Sequence, residues 1–214
     1  MTQSDDWRIQ NEKLRRSFDT VADRYAAEFL DELDRKPFDR ELLDTLAARL
    51  RGRRVLEVGG GPGHIGDYLG ARGVDVVLSD ISTGQLQQSS STRRLVCDLA
   101  RLPIRPGSLD GILAFYCLIY GPPDPLDDVF AEWRGALMPD GIAITVVHAG
   151  DGFIRADEWW DRPVDLHLVF RDPDDFTARL QRAGFEIEQS TVRPPYDDEY
   201  ATDRHYVVAR RVAD

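Results

Sequence analysis

Three carboxylates stand at the ends of three consecutive apolar runs. Glu57 lies in Val55-Leu56-Glu57-Val58, two residues ahead of the cluster Gly59-Gly60-Gly61-Pro62-Gly63. Asp80 closes the run 74–80, and Asp98 closes the run 94–98. At the first position a carboxylate can accept from an ammonium. At the second it can take both hydroxyls of a ribose. At the third it can accept from an adenine amino group while the backbone N–H of Leu99 serves a ring nitrogen. Together the acids suit a ligand with an amino-acid end, a ribose and an adenine; three carboxylates would repel a pyrophosphate. Glycines let the backbone turn sharply and approach such a ligand closely. The same loop contains Gly61-x-Gly63-x-x-Gly66, with Asp80 nineteen residues after its first glycine. That is a dinucleotide pattern, so nicotinamide-dependent hydride transfer is a competing reading. Taken singly, Glu57 also reads as a strand-end acid paired with an arginine, and Asp80 and Asp98 as cap or turn acids.

These residues need a scaffold that gathers strand ends. Apolar runs at 55–58, 74–80, 94–98, 109–116 and 142–149 alternate with helical patterns at about 64–72, 82–90 and 124–137. That is the βαβ rhythm of an open, mostly parallel α/β sheet with strands buried on both faces. The turn Pro139-Asp140-Gly141 leads into the fifth strand. The segment 150–171 is less regular. A helix over 173–183 ends at Gly184, and 185–192 and 205–211 read as the last strands. Only a loop separates those two, so at least one runs antiparallel. Ahead of the sheet, Leu14, Phe18, Val21, Tyr25, Phe29 and Leu33 recur at steps of three and four. They predict an amphipathic helix over 7–33, and a second helix follows Pro37 through Leu50. In such sheets ligands bind at the carboxyl ends of the strands, near the switch in strand order.

The segments VLEVGGGPGHI, LSDIS, CDLARLPI, LDGILAFYCLIY and WRGALMPDGIAIT occur in this order. With them the chain resembles the class I S-adenosylmethionine-dependent methyltransferases over about residues 15–210. The resemblance implies an α/β, Rossmann-like three-layer sandwich. Its sheet would be seven-stranded and mostly parallel, with one antiparallel strand near the edge and an N-terminal helical cover. A single domain is expected over 1–214: helical cover at 1–52, cofactor-binding core at 53–149, acceptor-side segment and last strands at 150–214. The implied cofactor is S-adenosylmethionine. Glu57 would hold its amino group through water, and Gly59, Gly61 and Gly63 would form the loop under methionine and ribose. Asp80 would hold the ribose hydroxyls, Ile81 would pack on the adenine, and Asp98 with Leu99 would read the adenine edge. Phe115 would offer its carbonyl to the ammonium. Tyr25 resembles the tyrosine with which such helices close over the cofactor, although an amphipathic helix buries aromatics in any case. Gln85 stands where a methionine often covers the adenine, which implies looser packing there. The implied activity is methyl transfer to an oxygen, nitrogen or carbon nucleophile of a small molecule. The alternatives are an NAD(P)-dependent oxidoreductase and a cofactor-binding protein that acts only by interaction.

A sulfonium methyl is already activated, so the protein mainly supplies proximity and orientation. A base is needed only where the nucleophile must shed a proton early. His148 ends the fifth strand on the ligand side and is the candidate base, with a structural partner as the alternative. Tyr116 and Tyr120 flank the place of the methyl, and one of them is expected to touch the acceptor. His64 belongs to the glycine-loop helix. His167 lies opposite the face formed by Val164, Leu166, Leu168 and Phe170, and His205 is expected at the surface. No two histidines have metal-ligand spacing, so no metal is expected. Phe153, Trp159, Trp160 and Phe170 stand among acids. They suit a pocket for a neutral or cationic small molecule, or else anchor a cover loop.

The 214 residues include 27 basic and 38 acidic side chains, a net charge of -11, and 151–203 holds 14 acids against 6 bases. Such a chain lacks the clustered Lys and Arg that grip nucleic acid or anionic membrane, so neither partner is expected. Only Lys13 and Lys36 are lysines, which removes a Schiff-base or P-loop lysine from most of the chain. Cys97 and Cys117 are too few for a disulfide framework and are expected as buried free thiols. The start of the chain has no signal-peptide pattern, and no apolar run approaches ~18 residues. A cytoplasmic location is therefore expected. The length fits one domain with its own core.

Overall fold

Short β-rich runs bounded by turn residues set the frame. A computed structural model describes residues 3–120 and 126–213. Its strands are β1 (Arg54–Val58), β2 (Asp75–Asp80), β3 (Arg94–Val96), β4 (Leu109–Phe115), β5 (Leu137–His148), β6 (Phe153–Trp159), β7 (Arg162–Val169), β8 (Phe185–Arg193) and β9 (Arg204–Arg211). Seven form one sheet in the order β3-β2-β1-β4-β5-β9-β8, and β6 and β7 form a separate pair. Neighbours from β3 to β5 are parallel. Among the described strands of the large sheet only β9 runs antiparallel, pairing with both β5 and β8. The fold is the expected Rossmann-like one. The chain winds outward from β1 to β3 and then crosses back to β4. This opens a crevice above the carboxyl ends of β1 and β4.

The helices are α1 (Gln3–Phe29), α2 (Pro37–Leu50), α3 (His64–Gly70), α4 (Thr83–Gln88), α5 (Leu126–Ala136) and α6 (Pro173–Arg182). One sheet face carries Phe130, Trp133 and Phe176 of α5 and α6 on Leu109, Ile112 and Leu137. The other carries Leu43, Leu46 and Leu69 of α2 and α3 on Val55, Leu113 and Ile144.

Three local expectations change, and a fourth is not tested. The first helix stops at Phe29, and a 3-10 turn spans Glu32–Arg35. Lys36 precedes Pro37, which bars it from the α region, and it sits at φ -118°, ψ 76°. The expected start of α5 at Asp124 lies outside the described residues. β5 begins at Leu137 rather than Ile142: Pro139-Asp140-Gly141 forms a bulge inside the strand, between the pairs Leu109–Leu137 and Gly111–Ile142. His205 is fully buried, not superficial, because β9 is an internal strand. Its Nε2 lies 2.9 Å from Ser190 Oγ, and its ring packs on Phe176.

The segment 150–171 is a hairpin. Val164 and Leu166 are buried against Val21 of α1, as their alternation predicts, and His167 lies beside Asp165 on the other face. The turn residues Trp160 and Asp161 both have positive φ, 53° and 59°. Two-residue hairpin turns of this kind favour Asn-Gly, and other residues there cost about 1–2 kcal/mol each. Stacking of Trp159 on Trp160, 4.4 Å between centroids, offsets part of that cost. Arg162 binds Asp23 and the Thr20 carbonyl, and Lys13 pairs with Asp165, so α1 and the hairpin form one cover.

Candidate active site

The loop after β1 turns tightly. Gly59, Gly61 and Gly63 have φ of 59°, 55° and 86°, and a Cβ at Gly59 would lie 2.3 Å from Cys117 Cβ. The Gly61 N–H donates to Asp80 Oδ2 (2.9 Å), and the Ser82 N–H donates to Asp80 Oδ1 (2.7 Å). Burial pushes the Asp80 carboxyl up to about 6 despite these two donors. Asp98 Oδ1 accepts from the Ala100 N–H (2.9 Å), and its Oδ2 accepts from the Asn11 amide (2.6 Å). Asp80, Asp98, Ile81, Leu99, Gly59 and Gly61 line one pocket. Phe115, Tyr116, Cys117 and Tyr120 close its β4 side, and Leu14, Phe18 and Tyr25 of α1 cover it. Asp19 holds α1 in place, accepting from Ser82 Oγ (2.7 Å) and the Gly84 N–H (2.8 Å).

Glu57 and Gly63 are not in that lining. They face a groove between α3 and β2, behind the glycine loop. The Glu57 side chain fills the space beside Gly60 and Gly66, where a Cβ would come within 2.5 Å of its Cδ and 2.3 Å of its Oε2. Burial, and then the charge of Asp67, push its carboxyl up to about 8. Cys117 is buried as expected, but Cys97 is only partly so and lines the pocket.

A second cavity of about 460 Å³ adjoins the first. Tyr25, Tyr116 and Tyr120 line both and form a collar between them. Phe29, Ile119, Ile154, Trp159, Leu166 and Phe170 give the second cavity apolar walls, and His148 lies on its inner end. Burial raises the pKa of all three collar hydroxyls, that of Tyr116 to about 12, so they keep their protons. His148 Nδ1 lies 2.5 Å from Thr202 Oγ1, and its ring is 5.4 Å from that of Tyr116. Burial, then Arg204 and Lys36, push His148 down to about 4, so the imidazole is neutral at pH 7.

Several contributors escape a sequence reading. Asn11 sits one helical step before Leu14, and its place on the apolar stripe is the signal. Glu32, Lys36 and Glu199 form a buried chain that begins at His64. His64 Nε2 lies 2.7 Å from Glu32 Oε1, Lys36 Nζ 2.6 Å from Glu32 Oε2, and Lys36 Nζ 3.6 Å from Glu199. Nothing local in the sequence connects residues 32, 64 and 199.

The first pocket, about 60 Å³ in volume, offers a nucleoside carboxylate partners. Its orphaned buried acceptor, Gln85 Oε1, has no partner among the described residues and lies near Gly61. Two carboxylates at the ends of β2 and β3 offer acceptors to hydroxyl and amino donors. The Gly61 N–H is already given to Asp80 and is not offered to a phosphate. Among the described residues no group of three or more His, Cys, Asp and Glu is placed to hold a metal ion.

A family model described as "Methyltransferase domain" matches residues 26–190. The malonyl-[acyl-carrier protein] O-methyltransferase of Enterobacter lignolyticus is 25% identical over 170 residues, 74% of this chain and 66% of that protein. The demethylmenaquinone methyltransferase of Beutenbergia cavernae is 37% identical over 101 residues, 44% of this chain and 42% of that protein. The matches thus span less than two thirds of either relative. Among solved structures, the Burkholderia thailandensis 1,6-didemethyltoxoflavin-N1-methyltransferase shares the fold. It was solved with 1,6-didemethyltoxoflavin and S-adenosylhomocysteine; the TM-score is 0.74, with 20% identity over 97% of this chain and 91% of that one. The comparisons give no support to the hydride-transfer reading. The match over most of its length places the chain in the methyltransferase-domain family, whose cofactor is S-adenosylmethionine.

Proposed function

We propose that the chain transfers a methyl group from S-adenosylmethionine to a small molecule held in the second cavity. The observation that carries this is the tyrosine collar: a pocket with acceptors matched to a nucleoside adjoins a larger cavity through Tyr25, Tyr116 and Tyr120. The cofactor, when bound, supplies a methyl already activated on a sulfonium. Asp80 would accept from the ribose hydroxyls, Asp98 and Leu99 would read the adenine, and Ile81 would pack on it. Glu57 would act on the amino group only from behind the loop. The neutral collar hydroxyls orient the acceptor and exclude water. His148 is unprotonated at pH 7 and can take a proton from an acceptor hydroxyl or ring N–H. The second cavity is of the size that suits small molecules. Two free thiols suit a reducing compartment, and on that ground we place the protein in the cytoplasm.

Calorimetric titration with S-adenosylmethionine and, separately, with NADH tests the reading. Saturable binding of S-adenosylmethionine and none of NADH is expected. Binding of the dinucleotide alone would overturn it.

A further inference from the structure

Each cation on the wall of the second cavity has a carboxylate within 4 Å. Arg35 pairs with Asp198 at 2.9 Å, and Lys36 pairs with Glu32 and Glu199. Arg204 donates through Nη1 to the Tyr200 and Thr202 carbonyls and lies 3.8 Å from Glu199, while its buried Nε has no hydrogen-bond partner among the described residues. Two further carboxylates, Glu28 and Glu158, stand on the same wall. Five carboxylates thus face three cations on this wall, so an incoming carboxylate or phosphate would lose its water against a net negative charge.

More than half of the remaining wall is aromatic. Trp159 comes from the hairpin, stacks on Trp160 at an interplanar angle of 12°, and meets Tyr25 edge to face at 5.8 Å. Phe29, Phe170 and Tyr116 add further rings. The hairpin keeps Trp160 and Asp161 in the left-handed region to present this pair. Strain held at a fixed place beside a cavity points to a geometric requirement there. Rings reward a flat π-faced partner beyond the area it buries.

Resting on the methyl-transfer reading, we propose that the acceptor is a planar aromatic or heteroaromatic molecule without negative charge and that Trp159 determines this specificity. Carboxylate and phosphate acceptors are refused.

The test uses three compounds of similar size, 2-naphthol, 2-naphthoate and decahydro-2-naphthol, titrated calorimetrically at pH 7 into protein saturated with S-adenosylhomocysteine. The naphthol should bind at least about tenfold tighter than the naphthoate and about fivefold tighter than the saturated alcohol. Trp159→Leu keeps apolar bulk without a π face. It should erase the preference for the aromatic alcohol over the saturated one while S-adenosylhomocysteine affinity stays within about twofold. Trp159→Phe should keep most of the preference, which guards against a misfolded hairpin. Equal affinity for naphthol and naphthoate, or an unchanged preference in Trp159→Leu, would overturn the proposal. Failure of S-adenosylhomocysteine itself to bind would strike the methyl-transfer reading instead.

Discussion

The two halves of the site are made by different means. The nucleoside pocket is built at strand ends, where the backbone does most of the work: Asp80 holds the N–H groups of Gly61 and Ser82, and Asp98 holds that of Ala100. The acceptor cavity is built by side chains from α1, the 3-10 turn, the β6–β7 hairpin and the 196–204 loop, brought together only by tertiary packing. The first half can keep its chemistry while the second changes its walls. Substitutions should therefore separate cofactor binding from acceptor choice.

The largest expected effect lies behind the glycine loop. Glu57 is neutral in the folded protein up to about pH 8, whereas in the unfolded chain it ionises near its ordinary value. The folded state therefore holds the extra proton, and stability falls as pH rises between about 4.5 and 8. The loss amounts to about 3–5 kcal/mol from this one group. Glu57→Gln should flatten that part of the profile in urea unfolding at pH 5 and pH 8. Equal slopes for both proteins would refute the burial argument.

Next in size, Asp80→Ala should weaken S-adenosylhomocysteine binding by about 1–3 kcal/mol, with naphthol binding to the acceptor side little changed. Calorimetry would show whether both affinities fall together, which would erase the separation of the halves. The ionised carboxyl is the form that accepts two hydroxyls, so wild-type affinity should decline as pH drops below about 6. Asp80→Asn should lose that decline.

The smallest expected effect is a flat line. With cofactor saturating, turnover should not vary between pH 6 and 8 and should fall only as pH approaches about 4, where His148 gains its proton. An inflection near 6.5 would mean that the imidazole is solvated as an ordinary histidine.

The same contrast explains what the sequence made legible. Glycine spacing and an acid after each of three apolar runs are local patterns, and the structure brings Gly59, Gly61, Asp80 and Asp98 to one pocket. The hairpin was not legible, because its turn is Trp160-Asp161 and carries no glycine or asparagine to mark it. His205 reads as superficial because its strand ends the sequence pattern and is flanked by arginines, while its burial comes from the neighbours β5 and β8. Glu57 sits at the right strand end, but its side chain points behind the loop, a matter of strand alternation against α3 that spacing to the glycines does not reveal.

The collar is the point where the two halves must meet, and one measurement addresses it directly. S-adenosylmethionine carrying a 13C-labelled methyl can be bound to the protein and its methyl protons followed by filtered nuclear Overhauser spectroscopy. Cross-peaks to ring protons of Tyr25, Tyr116 or Tyr120, lost one by one in the matching Tyr→Leu variants, are the predicted result. A bound, observable methyl with no cross-peak to any of the three rings would contradict the account.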